Sequence, residues 1–147
     1  MTDNDIIVRI ATSSDRSGID RITQEYSEHD YSHAPKYFDE SISTQKIIIS
    51  ELHTEIVGYL IYHIVWGNTP YIELLRVSAP YQKKGIGSQL LQYLEEILKK
   101  GAYDSVLSSS ERVNVVGNNF HERNGFKTIG SLQMIYGEEV FFRKDLK

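Results

Sequence analysis

The chain has 147 residues, of which 40% are apolar and 11% aromatic, and its formal net charge is −4. This length and composition suit one globular domain with a single core, so we expect residues 1–147 to form one domain. The absence of cysteine excludes disulfides, thiolate zinc sites and an acyl-cysteine intermediate. The negative net charge argues against a nucleic-acid partner.

No apolar run approaches the length of about 18 residues that a membrane span needs. The first five residues are acidic rather than basic, which is not typical of a signal peptide. We therefore expect no membrane partner and a cytoplasmic location.

The first part of the chain predicts a strand and two helices. Residues 6–10 are β-prone, and residues 12–15 can cap a helix that we predict over about 15–28. Gly18 should weaken the first turn of this helix by about 1 kcal/mol. Pro35 is well placed to begin a second short helix over residues 35–43.

The polar residues between these helices include His29, Asp30 and His33. They could be drawn as metal ligands, but surface polar residues before a proline explain them equally well. We expect no metal site here.

The middle of the chain predicts three strands joined by short turns. Residues 46–52 and 55–66 are strand-like and meet at a turn at His53 and Thr54, and residues 67–70 turn the chain into a strand over 71–77. Strands joined in this way are antiparallel neighbours.

A long amphipathic helix follows from Ile86, because apolar residues recur at one-face spacing up to Leu98. Gly101 stands where a left-handed cap would end it. Residues 103–109 then form a strand parallel to 71–77, since a helical crossover joins the two. A helix over 114–124 and strands over 126–132 and 139–144 complete an α/β (α+β) fold, with a mixed, mostly antiparallel central sheet flanked by helices.

The loop before the long helix predicts an anion site. It places Lys83, Lys84, Gly85 and Gly87 where a helix exposes unpaired N–H groups and the positive end of its dipole. Glycines let the backbone approach a phosphate closely. Leu90 stands where a Rossmann turn needs its third glycine, and the Gly-Lys-Ser/Thr of a Walker loop is absent, so a pyrophosphate held in another way is expected.

Two segments resemble the signatures of the GNAT superfamily of acyl-CoA-dependent N-acetyltransferases. The first is Gln82-x-x-Gly85-x-Gly87, which matches the family pattern Gln/Arg-x-x-Gly-x-Gly/Ala in full. The second departs from the family in having Gly117 for alanine and His121 for tyrosine, and reads Asn114-x-x-Gly117-x-x-Phe120-His121-x-Arg123-x-Gly125-Phe126. The resemblance covers nearly all of the chain and implies the GNAT-like fold.

The resemblance also implies acetyl-CoA as cosubstrate, with no metal. In the family the coenzyme A arm inserts between the strands that correspond to 71–77 and 103–109. The implied cofactor-binding residues are Leu75, Arg76, Val77, Gln82, Lys83, Lys84, Gly85, Ile86, Gly87, Ser88, Asn114, Phe120 and Arg123. Two alternatives stay open: Phe120 as a core residue and Arg76 as a solvated edge residue.

The implied acceptor is a primary amine, which as an alkylammonium of pKa near 10.4 needs roughly 4–5 kcal/mol to lose its proton at pH 7. Strand alternation places Glu73 on the same face as Tyr71, so we predict Glu73 as the base, with a structural or charge-contact role as the alternative. Some family members carry a glutamate two residues earlier. His63 on the preceding strand is the reserve candidate.

The leaving thiolate needs a proton, which family members often take from the tyrosine that His121 replaces here. An imidazolium can do the same, so we predict His121 as the acid. Alternatively His121 is a spectator, and Tyr136 or a water supplies the proton.

The acceptor itself is open: a small metabolite or polyamine, an aminoglycoside-like compound, or a peptide amine. The acidic residues that favour a cation are Glu25, Glu28, Asp30, Asp39 and Glu40, and the aromatic residues that could line its pocket or be core are Tyr26, Tyr31, Tyr37 and Phe38. Residues 140–142 are candidates for a homodimer contact or for the core. The competing function is a non-catalytic coenzyme A-binding sensor or interaction module.

Overall fold

The computed structural model describes residues 5–26 and 35–147. The predictions made for Glu28, His29, Asp30, Tyr31 and His33 lie outside these residues. The described helices are α1 Arg16–Glu25, α2 Pro35–Ser43, α3 Ile86–Lys100 and α4 Val115–Arg123. The described strands are β1 Ile6–Ile10, β2 Ile47–Leu52, β3 Glu55–Val65, β4 Thr69–Val77, β5 Ser105–Glu111, β6 Lys127–Met134 and β7 Gly137–Asp145.

The strands form a mixed sheet in the order β1-β2-β3-β4-β5-β7-β6. β1 pairs antiparallel with β2, as do β2 with β3, β5 with β7 and β6 with β7. β4 and β5 pair in parallel at Tyr71 and Leu107. The predicted fold class and the predicted parallel pair are therefore confirmed.

The turns follow the chemistry of the residues that make them. His53 and Thr54 both have positive φ, 49° and 70°, which is the backbone of a tight hairpin between antiparallel strands. Between β3 and β4, Trp66 and Gly67 are the left-handed residues, and β4 begins at Thr69. The predicted turn at 67–70 is therefore too long, because Pro70 already lies in the strand.

The left-handed residue that follows the long helix is the one after its glycine. Gly101 does not have a left-handed backbone; Ala102 does, with φ 64°. Tyr103 N–H donates to Leu98 C=O at 3.0 Å and Ala102 N–H to Lys99 C=O at 3.1 Å, the two bonds of a Schellman cap. A Cβ at residue 101 would lie 3.1 Å from the Tyr103 ring, so glycine lets the ring pack close to the backbone there. The cap occupies residues 101–103, which is why β5 begins at Ser105.

The chain divides into two compact units, and the boundaries between them fall within β3, β4 and α3. Of the described residues, the first unit comprises 5–26, 35–62 and 74–94, and the second comprises 63–73 and 95–147.

The first unit has a core of aliphatic and aromatic side chains from α1, α2, β2 and β3. Ile19, Ile22, Ile47 and Tyr59 are completely buried in it. α1 reaches β3 through Gly18, where a Cβ would lie 2.6 Å from Cγ1 of Ile56. The glycine that costs helix propensity therefore permits close packing of the helix on the strand.

In the second unit α4 contributes to a core formed with β5 and β7. Val140 and Phe142 are buried, which answers the open question about residues 140 and 142 in favour of the core, whereas Phe141 is half-buried. Every residue of β6 is exposed. No helix in the described part of the chain is long and apolar enough to cross a membrane.

Candidate functional site

The predicted anion loop lies in the first unit and opens α3 as the sequence indicates. Gly85 has φ 82°, and its carbonyl accepts the first helical hydrogen bond, from Gln89 N–H at 3.1 Å. The N–H groups of residues 86–88 precede that bond, so they have no acceptor within the helix. A Cβ at Gly85 would meet no atom within 4 Å, so the space beside the backbone is open to a ligand.

Positive charge surrounds this loop. Lys83 and Lys84 are exposed, and Lys83 itself has a left-handed φ of 62°. The ammonium of Lys84 lies 5.9 Å from the centre of the Tyr81 ring. Together with the dipole at the start of α3, these charges favour an anionic group.

The signature glutamine Gln82 holds the loop against the end of β4. Its side-chain amide donates to the Val77 carbonyl at 3.0 Å and to the Tyr26 hydroxyl at 3.1 Å. The Tyr26 hydroxyl donates to the same carbonyl at 2.8 Å. Val77 C=O thus already accepts two hydrogen bonds, which makes it a poor acceptor for the coenzyme A arm. Leu75 and Arg76 stay predictions as contacts of that arm.

Arg76 is not a solvated edge residue. Its side chain is buried, with 8% exposed, and its guanidinium donates to the Tyr59 hydroxyl at 3.0 Å and lies over the Tyr26 ring. The side chain therefore holds the aromatic residues behind the loop, and any cofactor contact of Arg76 would be made by its backbone.

The acidic residues expected to favour a cation have structural partners. Glu25 accepts from the Ser78 hydroxyl and from Ala79 N–H, both at 2.8 Å, which ties α1 to the turn that follows β4. Asp39 pairs with Arg16, and Glu40 lies 3.5 Å from Lys36. These contacts give each of the three carboxylates a partner within the protein, so their presence does not indicate a cationic substrate.

The two aromatic residues of α2 both contact the core of the first unit and differ in how deeply they are buried. Phe38 is buried in the core of the first unit, and Tyr37 is half-buried with its ring edge-on to Phe38 at 5.2 Å. Phe38 is thus a core residue, as the alternative interpretation held.

The predicted base and its reserve are in contact in the second unit. Nε2 of His63 lies 3.0 Å from Oε2 of Glu73, and each side chain is 33% exposed. Two candidates that the sequence offered separately therefore form one pair, in which a proton taken up by the carboxylate can be shared with the imidazole.

His121 is buried in the core of the second unit, with 7% exposed. Its Nδ1 lies 2.7 Å from the Gly117 carbonyl, which can only accept, so Nδ1 carries the proton. Nε2 lies 2.7 Å from the Ser108 hydroxyl, and the ring stacks on Phe142 at 4.3 Å. Burial lowers the pKa of His121 below its usual value. A buried, neutral imidazole with both nitrogens engaged argues against the predicted acid role and favours the spectator alternative.

The remaining residues of the second signature surround His121 on α4. Asn114 caps this helix, since its Oδ1 accepts from Gly117 N–H at 2.9 Å. A Cβ at residue 117 would lie 2.6 Å from the Asn114 amide, so glycine in place of the family alanine accommodates this cap. Phe120 is half-buried and Arg123 is exposed.

A hydroxyl chain in the second unit was not predicted from the sequence. The Tyr71 hydroxyl lies 2.7 Å from the Ser109 hydroxyl, which donates to Oε2 of Glu139 at 2.6 Å. Tyr136 donates to Oε1 of the same carboxylate at 3.1 Å. The available signal in the sequence was spacing along the strands. Glu139 and Phe141 are two residues apart in β7, and Tyr71 and Glu73 are two residues apart in β4, so each pair lies on one face of its strand.

The described residues, 5–26 and 35–147, contain no group of three or more His, Asp or Glu side chains that could hold a metal ion.

Comparison with known proteins identifies a family. The sequence profile of the acetyltransferase (GNAT) family matches residues 16–126. No curated protein sequence gives a significant match to the chain.

Several solved structures share the fold. An N-acetyltransferase from Staphylococcus aureus Mu50 is 22% identical, with a TM-score of 0.82 over 97% of this chain and 99% of its own. The acetyltransferase yncA from Salmonella typhimurium, solved with its cofactor acetyl-CoA, is 18% identical, with a TM-score of 0.83 over 98% and 95%. The ribosomal-protein-S18-alanine N-acetyltransferase from Escherichia coli is 15% identical, with a TM-score of 0.81 over 97% and 94%.

Proposed function

Because the chain belongs to the acetyltransferase (GNAT) family, we propose that it transfers an acetyl group from acetyl-CoA to a primary amine by direct attack in a ternary complex. The observation that carries this proposal is the loop at residues 82–88. It combines the family's glycine signature with an open approach to the backbone at Gly85 and with two exposed lysines.

The loop residues fit the diphosphate of acetyl-CoA. The N–H groups at the start of α3 would hold it, and Lys83 and Lys84 would neutralise its charge. Gln82 fixes the loop to the end of β4 through its hydrogen bonds to Val77 and Tyr26. When bound, acetyl-CoA supplies a thioester, the activated acetyl group of the reaction. The fold similarity to yncA, which was solved with this cofactor, supports the same choice.

In the second unit, Asn114, Phe120 and Arg123 stay predictions as cofactor contacts. The Asn114 side-chain oxygen is engaged in capping α4, so its amide nitrogen is the group left for such a contact.

Glu73 is the group that we propose to take the proton from the acceptor ammonium. Its contact with Nε2 of His63 gives the proton a second site, which favours its removal from the reacting nitrogen. The free amine would attack the thioester carbonyl, so that the C–N bond forms, the C–S bond breaks and the sulfur leaves with the electron pair. The second proton lost by the attacking nitrogen would pass through a water to the sulfur.

A water is the proton source that we propose for the departing sulfur. His121 is neutral and engaged at both nitrogens. Tyr136 already donates to Glu139, and burial together with that negative charge raises the pKa of Tyr136 to about 12, which makes it a poor acid.

The acceptor class that we propose is a small-molecule or peptide primary amine. One structural neighbour is an alanine N-acetyltransferase of a ribosomal protein, which is consistent with a peptide amine. A cytoplasmic location, a single domain over residues 1–147 and a homodimer stay predictions.

The test is release of free coenzyme A from acetyl-CoA in the presence of spermidine, tyramine, a lysine-containing peptide or a peptide with a free N-terminal alanine. We expect acceptor-dependent thiol release with at least one of them. Acetyl-CoA binding without thiol release on any acceptor would instead support the non-catalytic sensor.

A further inference from the structure

The hydroxyl chain that ends on Glu139 has a fixed direction. Ser109 has one hydroxyl proton, and it is donated to the carboxylate at 2.6 Å. The hydrogen bond between Ser109 and Tyr71 must therefore be donated by Tyr71, at 2.7 Å. Glu139 thus orients two hydroxyl protons in succession toward itself.

The hydrogen bond between Tyr136 and Glu139 has the same direction, with the hydroxyl donating to the carboxylate. Tyr136 donates its only hydroxyl proton to the other carboxylate oxygen at 3.1 Å. With both phenol protons committed, any further hydrogen bond at the oxygen of Tyr71 or Tyr136 is one that the oxygen accepts. The two phenols are therefore suited to a ligand that donates.

The register of the sheet places this chain beside the proposed base. Ser109 pairs with Phe141, and the Tyr71 ring stacks on Phe141 at 6.4 Å. Residues two apart along a strand share a face, so Glu139 lies on the Phe141 face of β7 and Glu73 lies on the Tyr71 face of β4.

The charge state of the phenols is consistent with this polarity. Burial raises the pKa of Tyr71, and so do the negative charges of Glu139 and Glu73. The pKa of Tyr136 is also raised. Both hydroxyls stay protonated at neutral pH and keep their direction.

We propose that Glu139 is a positioning residue that determines acceptor specificity, by fixing the Tyr71 and Tyr136 oxygens as hydrogen-bond acceptors for the ammonium group of the substrate amine beside Glu73. This inference rests on the proposed acetyl transfer and deepens it, since it predicts which group of the acceptor molecule the two phenol oxygens contact.

The first test is the kinetics of Glu139→Gln with the acceptor that gives the highest thiol release in the wild-type chain. The glutamine side chain has an NH2 group, which donates, so it would reverse the direction of one of the two hydrogen bonds that Glu139 accepts. We expect the KM for the amine to rise about tenfold or more, with the KM for acetyl-CoA unchanged. Glu138→Gln is the matched control, because Glu138 is the preceding residue on β7 and is bound to Arg112 and Ser131. It should leave both constants unchanged.

A double-mutant comparison separates positioning from general destabilisation. Tyr136→Phe should raise the KM for the amine, and adding Glu139→Gln to it should cost less than Glu139→Gln alone, because part of what Glu139 positions is then gone. Full additivity would overturn the inference.

The second test does not depend on turnover. Ultraviolet titration of tyrosinate in Glu139→Gln should show that Tyr71 and Tyr136 ionise at lower pH than in the wild type, by about one unit or more. Tyr71→Phe and Tyr136→Phe assign the two steps. An unchanged titration, or an active Glu139→Gln with wild-type KM for the amine, overturns this inference and leaves the proposed function standing. A wild-type chain that releases no thiol with any acceptor overturns both.

Discussion

Glu73 has the imidazole of His63 as its neighbour, and this contact bears directly on its proposed role as base. The 3.0 Å contact with His63 holds the carboxylate in place and offers a second site for a proton. A glutamate used only for structure would not need a titratable partner, whereas a base that must release its proton after each turnover benefits from one.

Glu73→Gln should lower kcat by about 100-fold or more, because general base catalysis is typically worth at least that much. The acidic limb that the base contributes to the pH–rate profile should also disappear. His63→Gln is the companion variant and should show a smaller loss, since Glu73 remains. An unaltered pH–rate curve in Glu73→Gln would restrict Glu73 to a structural role.

His121 predicts a pH dependence of stability. Burial holds the pKa of His121 below 6.5, so the unfolded chain binds a proton at acidic pH before the folded chain does. Its contribution is therefore fully present above pH 6.5 and is lost as the pH falls below it, with a slope of at most about 1.4 kcal/mol per pH unit.

Urea unfolding between pH 7.5 and 5 measures this slope. His121→Phe combined with Ser108→Ala should reduce the slope, because it replaces both partners of the 2.7 Å hydrogen bond by apolar groups. His53→Asn is the control: His53 is exposed, and its removal should leave the slope close to that of the wild type. An identical slope in the double variant would mean that the pKa of His121 is the same in the folded and the unfolded chain.

At the scale of the element, the end of α3 shows how a cap is set by packing as well as by propensity. Glycine at 101 lets the Tyr103 ring pack close to the backbone, and the left-handed conformation falls instead on Ala102, where an L side chain is strained. The cap therefore includes backbone strain at Ala102, which a single substitution can remove.

Ala102→Gly should stabilise the chain by up to about 1 kcal/mol, because glycine adopts a positive φ without that strain. Gly101→Ala should destabilise it, since the added Cβ would lie 3.1 Å from the Tyr103 ring. Urea unfolding of the two variants measures both effects. A destabilising Ala102→Gly would contradict this assignment of the cap.

Periodicity predicted most elements and could not predict where they end. The apolar spacing from Ile86 gave α3 because helical contacts are local in sequence. The start of β5 was placed two residues too early, since the cap at residues 101–103 depends on the position of the Tyr103 ring. Pro70 was assigned to a turn for a similar reason, because strand pairing is not encoded locally.

At the scale of the whole molecule, the loop at residues 82–88 could be predicted because its residues are contiguous. The surroundings of Glu139 could not be predicted, because its partners come from residues 71, 109 and 136 on different elements. The surroundings of His121 could not be predicted for the same reason. The family motif gives the position of His121 in the sequence. The stacking of His121 on Phe142 and its hydrogen bond to Ser108 are tertiary contacts, which the motif does not contain.

The central claim is that the start of α3 binds the diphosphate of acetyl-CoA, and isothermal titration with acetyl-CoA tests it most directly. Gly67 is a matched control for Gly85, because both have a left-handed φ, 75° and 82°, and neither would place a Cβ within 4 Å of another atom. The strain of a Val substitution is therefore similar at the two sites, and only Gly85 lies in the loop. We predict that Gly85→Val and Gly87→Val each abolish measurable binding while Gly67→Val keeps the wild-type affinity. Wild-type affinity in folded Gly85→Val would contradict the claim.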